Sequence, residues 1–410
     1  MNRRDFLSTG AASAGMVSLM GYLRADEPIA GFDQTATDTD QEAVWEPFSD
    51  KKVKVGIAGY GVCRFGAAFE FQNHPNVEVV AVTDLFADRC DGLAKACRCD
   101  KQYPSLEEMV KDDSIEAIFC ATDAPSHAKH AVMCMEHGKH VCHAVPVFYG
   151  DIDDAERLLE CAKKNRGLKY AMFETSAYHD DIYAMEKLFG AGVFGKLVYS
   201  EGEYCHPLSI GHPPIDSYKD WRINGAPLWY PTHASAYYVG VTHGSLTEVS
   251  AFGSTPFQGE VKPNGVGNVF NTEAAICRTS EGGIFRLVKT NAQGEYLEAG
   301  RLRGEYAGYD GHNGRIDGFV GDGAGKERLE KALAAGLALK KPLLPPSVDA
   351  GGHGGSHGYL SNDFIEAILL DRPTRVGVLD ALNMTVPGYY AHLSAVKNGE
   401  TLKVPQYSLD

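Results

Sequence analysis

The sequence predicts two folded units: an α/β Rossmann-type domain on a parallel sheet, then an α+β domain with an open, mainly antiparallel sheet. Three observations support this. Short β-rich runs alternate with helical stretches from residue 53 to 150, the rhythm of a parallel sheet covered on both faces. A glycine-punctuated turn follows the first apolar run. Past Gly195 the pattern changes to runs that alternate with period two, as in a sheet with one solvated face.

Strands are expected at 53–58, 77–83, 115–121 and 139–142, and helices at 66–73, 86–97, 105–111 and 126–137. Residues 151–166 place Ala155, Leu158, Leu159 and Ala162 on one face of an amphipathic helix. A strand at 168–173 and a helix at 182–189 follow. Lys196–Tyr204, Thr247–Phe252, Asn271–Arg278 and Gly283–Val288 are the period-two runs. Residues 303–355, rich in glycine and charge, are expected to be long loops with one helix near 326–335. Helices at 360–370 and 381–396 close the chain, the first returning toward the body. The domains expected are 51–170 and 171–405, and a length of 410 residues favours two domains over one.

The N-terminus stands outside this scheme. Asn2-Arg3-Arg4-Asp5-Phe6-Leu7 is a twin-arginine pattern, and a mildly apolar Gly/Ala-containing stretch follows to Leu23. Residues 1–30 are expected to be a Tat-type export signal, which places the folded protein in the periplasm. Residues 31–50 are expected to be an acidic linker. The net charge of −15 argues against nucleic acid and anionic membrane surfaces as partners. No apolar run past residue 30 approaches a membrane span. Of ten cysteines, eight fall between Cys63 and Cys161 without a C-x-x-C pair. Cys120 and Cys142 are expected to be buried strand thiols, and no metal site is expected.

The first turn carries the chemistry. Val53 to Ala58 leads into Gly59-Tyr-Gly61-Val-Cys-Arg64-Phe-Gly66, and Val77 to Thr83 ends at Asp84. Gly59 permits a tight turn, Gly61 lets the backbone approach a pyrophosphate, and Gly66 lets the following helix lie close to the strand. A carboxylate at the end of the second strand binds ribose hydroxyls and repels a 2′-phosphate, so NAD is expected over NADP. The spacing is two residues longer than G-x-G-x-x-G, and the bland alternative is an α/β turn that binds nothing. Arg64 in the turn is a further cofactor-side candidate. So are Thr122, Pro125 and His127 in the loop Ala121–His127 and Pro146 after the next strand.

The chain resembles the Gfo/Idh/MocA family of NAD(P)-dependent oxidoreductases over about residues 53–405. The resemblance rests on the Gly59–Gly66 turn, Asp84, Ala121-Thr-Asp-Ala-Pro125, Gly138-Lys-His-Val141 and Gly192-Val-Phe-Gly-Lys196. It implies hydride transfer between a nicotinamide and a sugar or polyol carbon, and a homo-oligomer paired through the open sheet. One departure matters. The family usually carries Glu-Lys-Pro after that strand, and here the run is His143-Ala-Val145-Pro146. Valine cannot donate or take a proton.

His233, in Trp229-Tyr-Pro-Thr-His233, aligns with the family's helix histidine and is the first candidate for the base. It could instead only position the sugar. Tyr230 and Tyr178 are secondary catalytic candidates. Glu174, His179 and His353 are candidate substrate ligands. Gly351-Gly-His353-Gly-Gly-Ser-His357-Gly is either a substrate-side loop or a turn capping the next helix, since five glycines disfavour the helix that a His-x3-His metal pair needs. Tyr-Pro-Thr-His with Gly-Gly-His-Gly-Gly also looks like the NAD-dependent glycosidase branch of the family, which oxidises, eliminates, hydrates and reduces. Three readings stay open: an NAD-dependent oxidoreductase acting on a sugar, polyol or glycoside, such a glycosidase, and a non-catalytic sugar- or nucleotide-binding protein.

Overall fold

A computed structural model describes residues 45–206, 221, 225–255, 268–291, 296–311, 314–320 and 323–410. The twin-arginine stretch and residues 31–44 of the expected linker lie outside the described residues. The linker's last residues are fixed against the first domain. Asn76 Nδ2 donates to the Ser49 and Lys51 carbonyls, both at 2.7 Å.

The first sheet holds β1 (Val53–Ala58), β2 (Val77–Thr83), β3 (Gln102–Tyr103), β4 (Ala117–Cys120), β5 (His140–Ala144) and β6 (Tyr170–Phe173). All pairs are parallel and the order is β3-β2-β1-β4-β5-β6, so the strand order reverses between β1 and β4. Such a reversal opens a crevice at the carboxyl ends of the strands. The strands are apolar because helices cover both faces. Val55, Ile57, Ile118 and Phe119 are fully buried, as are the strand thiols Cys120 and Cys142. All ten cysteines are free. The helices are α1 (Phe65–Ala68), α2 (Ala87–Cys97), α3 (Leu106–Met109), α4 (His127–Glu136) and α5 (Asp153–Lys164). In α5 the acidic residues sit in the first turn and Lys163 and Lys164 in the last, which complements the helix dipole.

The expected helix at 66–73 is broken. α1 stops at Ala68, Glu70 takes a left-handed φ of 64°, and Phe71–Asn73 form a separate 3₁₀ turn. Burial is the reason. Phe69 and Phe71 both enter the core against Phe119 and Phe173, which a continuous helix would point about 200° apart.

The second sheet holds β7 (Leu197–Cys205), β8 (Leu246–Ser254), β9 (Thr272–Thr279), β10 (Ile284–Thr290), β11 (Leu297–Gly304), β12 (Ala307–Asp310), β13 (Arg315–Phe319) and β14 (Leu402–Lys403). Its order is β13-β12-β11-β7-β10-β9-β8-β14, antiparallel except for β7 with β10. Among the described residues the longer helices that follow are α6 (Asp180–Gly190), α7 (Thr232–Thr242), α8 (Ala324–Ala334), α9 (His357–Leu369) and α10 (Val378–Val396). α7 and α10 cover one face of this sheet. The other face carries Phe252, Ile276, Ile284 and the Glu201–Arg286–Arg301 ion pairs.

β12 and β13 correct the expectation of long loops over 303–355. Glycine and charge make up much of both runs, so their composition imitates a loop while their backbones pair antiparallel with β11 and with each other. α9 does return to the first domain, where Leu360, Phe364 and Ile365 join Phe71, Phe119 and Phe173 in one apolar cluster. That return carries the Gly351–His357 turn to the seam between the two sheets.

Candidate active site

The glycine turn lies at the reversal point. Gly59 has φ 103°, and a Cβ there would stand 2.3 Å from the Ala121 carbonyl oxygen. A Cβ on Gly66 would stand 2.3 Å from the Gly59 oxygen, so the turn and α1 are in backbone contact. A Cβ on Gly61 would meet nothing within 4 Å, so its backbone faces open space. The space is a cleft of about 360 Å³ bordered by Gly59, Gly61, Arg64, Asp84, Thr122 and Trp221. Asp84 Oδ2 accepts from the Tyr60 amide at 2.6 Å and Oδ1 from the Phe86 amide at 2.9 Å. Each oxygen keeps a lone pair for a further donor. An open glycine backbone beside a fixed carboxylate fits a dinucleotide. Substituting Gly59 by alanine is expected to weaken NAD binding by more than about tenfold, because the left-handed backbone and the Ala121 contact both resist a Cβ. Titration of protein fluorescence with NAD checks this.

Of the other cofactor-side candidates, Thr122 borders this cleft and Pro125, His127 and Pro146 do not. His127 is buried, with Nδ1 2.7 Å from the Pro146 carbonyl oxygen and Nε2 3.1 Å from that of Thr122. It ties the loop after β4 to the cis Val145–Pro146 segment after β5. Burial lowers its pKa to about 4. Pro125 lies in the 3₁₀ turn Ala124–Ser126, and Thr122 Oγ1 bonds His130 Nδ1 at 2.9 Å.

A second group of side chains gathers where β6 meets α7. Glu174 follows β6 and is fully buried, and its Oε1 also accepts from the Ser176 amide. His233 in the first turn of α7 donates from Nδ1 to Glu174 Oε1 at 2.7 Å. Ser176 Oγ lies 3.0 Å from the same nitrogen and bonds Glu298. Burial pushes the His233 pKa down, but the charge and hydrogen bond of Glu174 outweigh it and the net shift is upward. Burial raises Glu174, and His233 outweighs that to lower it. Nδ1 of His233 thus faces the carboxylate, and Nε2 is turned away from it.

Around them, His179 Nε2 donates to the His353 carbonyl at 2.9 Å, and its Nδ1 lies 3.4 Å from Glu298. The His353 ring is 6.4 Å from the His233 ring and 5.6 Å from Phe65, a residue bordering the nucleotide cleft. Tyr230 stacks on Trp221 and leans on His233 with ring centres 5.5 Å apart. The structure thus brings His233, Tyr230, Glu174, His179 and His353 together beside the cleft. It does not bring Tyr178 there. That ring stacks on Tyr359 beneath Arg375, its hydroxyl bonds Asp363, and burial raises its pKa well above the usual value.

Sequence reasoning missed several neighbours. Tyr204 at the end of β7 packs 4.5 Å from the His233 ring, and Tyr296 donates to Glu298 at 3.0 Å. Lys289 donates to Asn291 at 2.6 Å and lies over the Tyr204 ring. Tyr204, Lys289 and Asn291, with His206, Trp221 and Tyr230, line a small pocket adjoining His233. Their shared signal was position: Tyr204, His206, Lys289 and Asn291 lie at or just past the ends of strands. Val145 is buried and offers no proton donor or acceptor.

Fold and site together define a dinucleotide-binding α/β protein with a second, sheet-based domain that contributes His233 to a buried histidine–glutamate pair. Residues 53–172 match the Gfo/Idh/MocA oxidoreductase family model with its NAD-binding Rossmann fold. Among its relatives, the glycosyl hydrolase family 109 protein 1 of Bacteroides thetaiotaomicron is 31% identical over 42% of this chain. The chain matches only 38% of that relative's length. A glycosyl hydrolase family 109 protein of Streptomyces niveus is 26% identical over 93% of this chain and 83% of its own. Among solved structures, scyllo-inositol dehydrogenase of Lactobacillus casei with bound NAD(H) and scyllo-inositol has a TM-score of 0.62 at 17% identity. That match covers 86% of this chain and 99% of the other, and at such identity it shows the fold.

Proposed function

We propose that the protein is an NAD-dependent oxidoreductase acting on a hydroxyl-bearing carbon of a sugar, polyol or glycoside. The buried His233–Glu174 pair beside the nucleotide cleft carries this reading. NAD, when bound, supplies the hydride acceptor. Gly59, Gly61 and Gly66 shape the backbone that would hold its pyrophosphate, and Asp84 its adenosine ribose. Oxidising an alcohol also releases the hydroxyl proton, and His233 Nε2 takes it. Glu174 holds the imidazole in the Nδ1–H form and stabilises the imidazolium that results. Tyr204, Trp221 and Tyr230 offer apolar ring faces, and His206, Lys289 and Asn291 offer polar groups, a mixture suited to a sugar ring.

A second reading, an NAD-dependent glycosidase that regenerates its own cofactor, is favoured by the Tyr230-Pro-Thr-His233 and Gly351-Gly-His-Gly-Gly355 runs and by the glycosyl hydrolase names of the relatives. Incubating the purified protein with NAD, free polyols and nitrophenyl glycosides separates the two. Accumulating NADH supports the dehydrogenase. Aglycone release without net NADH supports the glycosidase. Neither product would overturn both. Asp84→Ala is expected to weaken NAD more than NADP, because it removes a ribose ligand and also a charge that repels a 2′-phosphate. Equal losses in binding titrations would remove Asp84 from that role.

The twin-arginine start supports export to the periplasm, and fractionation of cells carrying Arg3→Lys/Arg4→Lys tests it. Exposed Phe252 and Ile276 on the uncovered sheet face support a homo-oligomer, which sedimentation measures. Among the described residues no helix is long and apolar enough to cross a membrane.

A further inference from the structure

β9 carries a carboxylate that the chemistry above leaves unused. Its inward positions are Glu273, Ala275, Cys277 and Thr279, alternating with exposed Ala274, Ile276 and Arg278. Glu273 is fully buried, and both of its oxygens are engaged. Oε1 lies 2.6 Å from His392 Nδ1 on α10, and Oε2 accepts from the Leu228 amide at 2.8 Å. A carboxylate withdrawn this far from water is stable only where such partners hold it. One of the two partners belongs to a turn that reaches the candidate active site.

Leu228 is the middle residue of the 3₁₀ turn Pro227–Trp229, which leads through Tyr230 and Pro231 into α7. The turn is gripped from α10 as well. A Cβ on Gly388 would stand 2.0 Å from the Leu228 carbonyl oxygen, so backbone meets backbone there. Gly388 and His392 are four residues apart and share one face of α10. Along that face the helix meets the Leu228 carbonyl directly and the Leu228 amide through Glu273. The Trp229 ring stands edge-to-face on His392 at 5.3 Å. The Tyr230 amide donates to the Pro227 carbonyl at 3.0 Å, which closes the turn on itself. Ala226, Pro227 and Tyr230 border the small pocket adjoining His233, and the Tyr230 ring lies 5.5 Å from the His233 ring.

Resting on the oxidoreductase reading, we propose that Glu273, held by His392, is a positioning residue: it fixes the Leu228 amide and, through the closed turn, sets Tyr230 against the sugar or polyol beside His233. Its part differs from that of Glu174. Glu174 meets the base itself and bears on proton transfer. Glu273 meets a backbone amide and a helix histidine, so it bears on where the substrate lies. A turn released from one of its two grips moves Tyr230 with it, because only Trp229 separates that ring from the anchored residue. The signature is a weaker hold on substrate, with the chemical step and the nucleotide cleft on the far side of His233 little affected.

Two substitutions test this in the full chain. Glu273→Leu removes both acceptors, and Glu273→Gln keeps one for the Leu228 amide. Hydrogen exchange at that amide, measured without substrate, is expected to quicken by about tenfold in the Leu variant and to stay near wild type in the Gln variant. Unchanged exchange in a folded Leu variant overturns the tie. KM for the sugar or polyol is expected to rise by about tenfold in the Leu variant, with smaller changes in kcat and NAD affinity, and Gln is expected to restore it. In a Tyr230→Ala background, Glu273→Leu is expected to add little to KM, because the two act as one unit. An unchanged KM, or losses that simply add, overturns the positioning role. Should Glu273→Leu not fold, His392→Leu, which leaves the Leu228 amide its acceptor, carries the same cycle with an expected rise of about threefold. If exchange follows the expectation yet wild type turns over no polyol or glycoside, the functional reading fails and the tie to the turn stands.

Discussion

His233→Asn is expected to lower kcat by about a hundredfold or more while leaving NAD affinity nearly unchanged. His233 does not border the nucleotide cleft, so cofactor binding has no reason to follow it. Asparagine is the informative substitution. Its Nδ2 can take the place of the imidazole Nδ1 and donate to Glu174, but it offers nothing in place of Nε2. Alanine removes both and leaves a fully buried carboxylate without its charge partner, a loss of about 3–5 kcal/mol in comparable buried pairs. His233→Ala should therefore lose activity and stability together, and His233→Asn chiefly activity. Steady-state kinetics with thermal unfolding of both variants checks this. Normal turnover in His233→Asn would remove the imidazole from the proton transfer.

The parts of this site that the sequence revealed are those whose chemistry is local. The Gly59–Gly66 turn and Asp84 are legible because strand, turn and second-strand carboxylate lie within one βαβ unit, and their φ angle and backbone contacts follow from it. His233 is legible through the run around it. Glu298 is not: it reaches Ser176, 122 residues away in sequence, only through the pairing of β11 with β7. Tyr178 and Tyr204 show the same limit. Both are tyrosines near strand ends, but the 3₁₀ turn Thr175–Tyr178 rotates one toward Asp363, while strand parity turns the other toward His233. β12 and β13 were illegible because a sheet with one solvated face allows charge and glycine in half its positions. The split of the helix after Gly66 was hidden because two phenylalanines two residues apart fit a helix in sequence, but their common core does not accept one.

Glu174→Gln is expected to cost stability in a pH-dependent manner that identifies the ion pair. The folded pKa of His233 lies above its ordinary 6.5, so its contribution is fully present below that value and is lost as pH rises through the raised one. The folded pKa of Glu174 lies below its ordinary 4.5, so its contribution is present above that value and is lost as pH falls through the lowered one. The two contributions coincide between 4.5 and 6.5. There the variant should fall furthest below wild type, by about 3–5 kcal/mol, and the gap should narrow toward either side. Without the carboxylate the buried imidazole loses the strongest of the groups that raise its pKa, so that pKa drops and its strength as a base drops with it. Turnover should fall by about a hundredfold, and the acid limb of its pH profile should move to lower pH. Urea unfolding across this pH range, with kcat measured alongside, checks both halves. A loss of stability independent of pH would mean that Glu174 and His233 do not titrate as a charged pair, and Glu174 would then have no part in raising the basicity of His233.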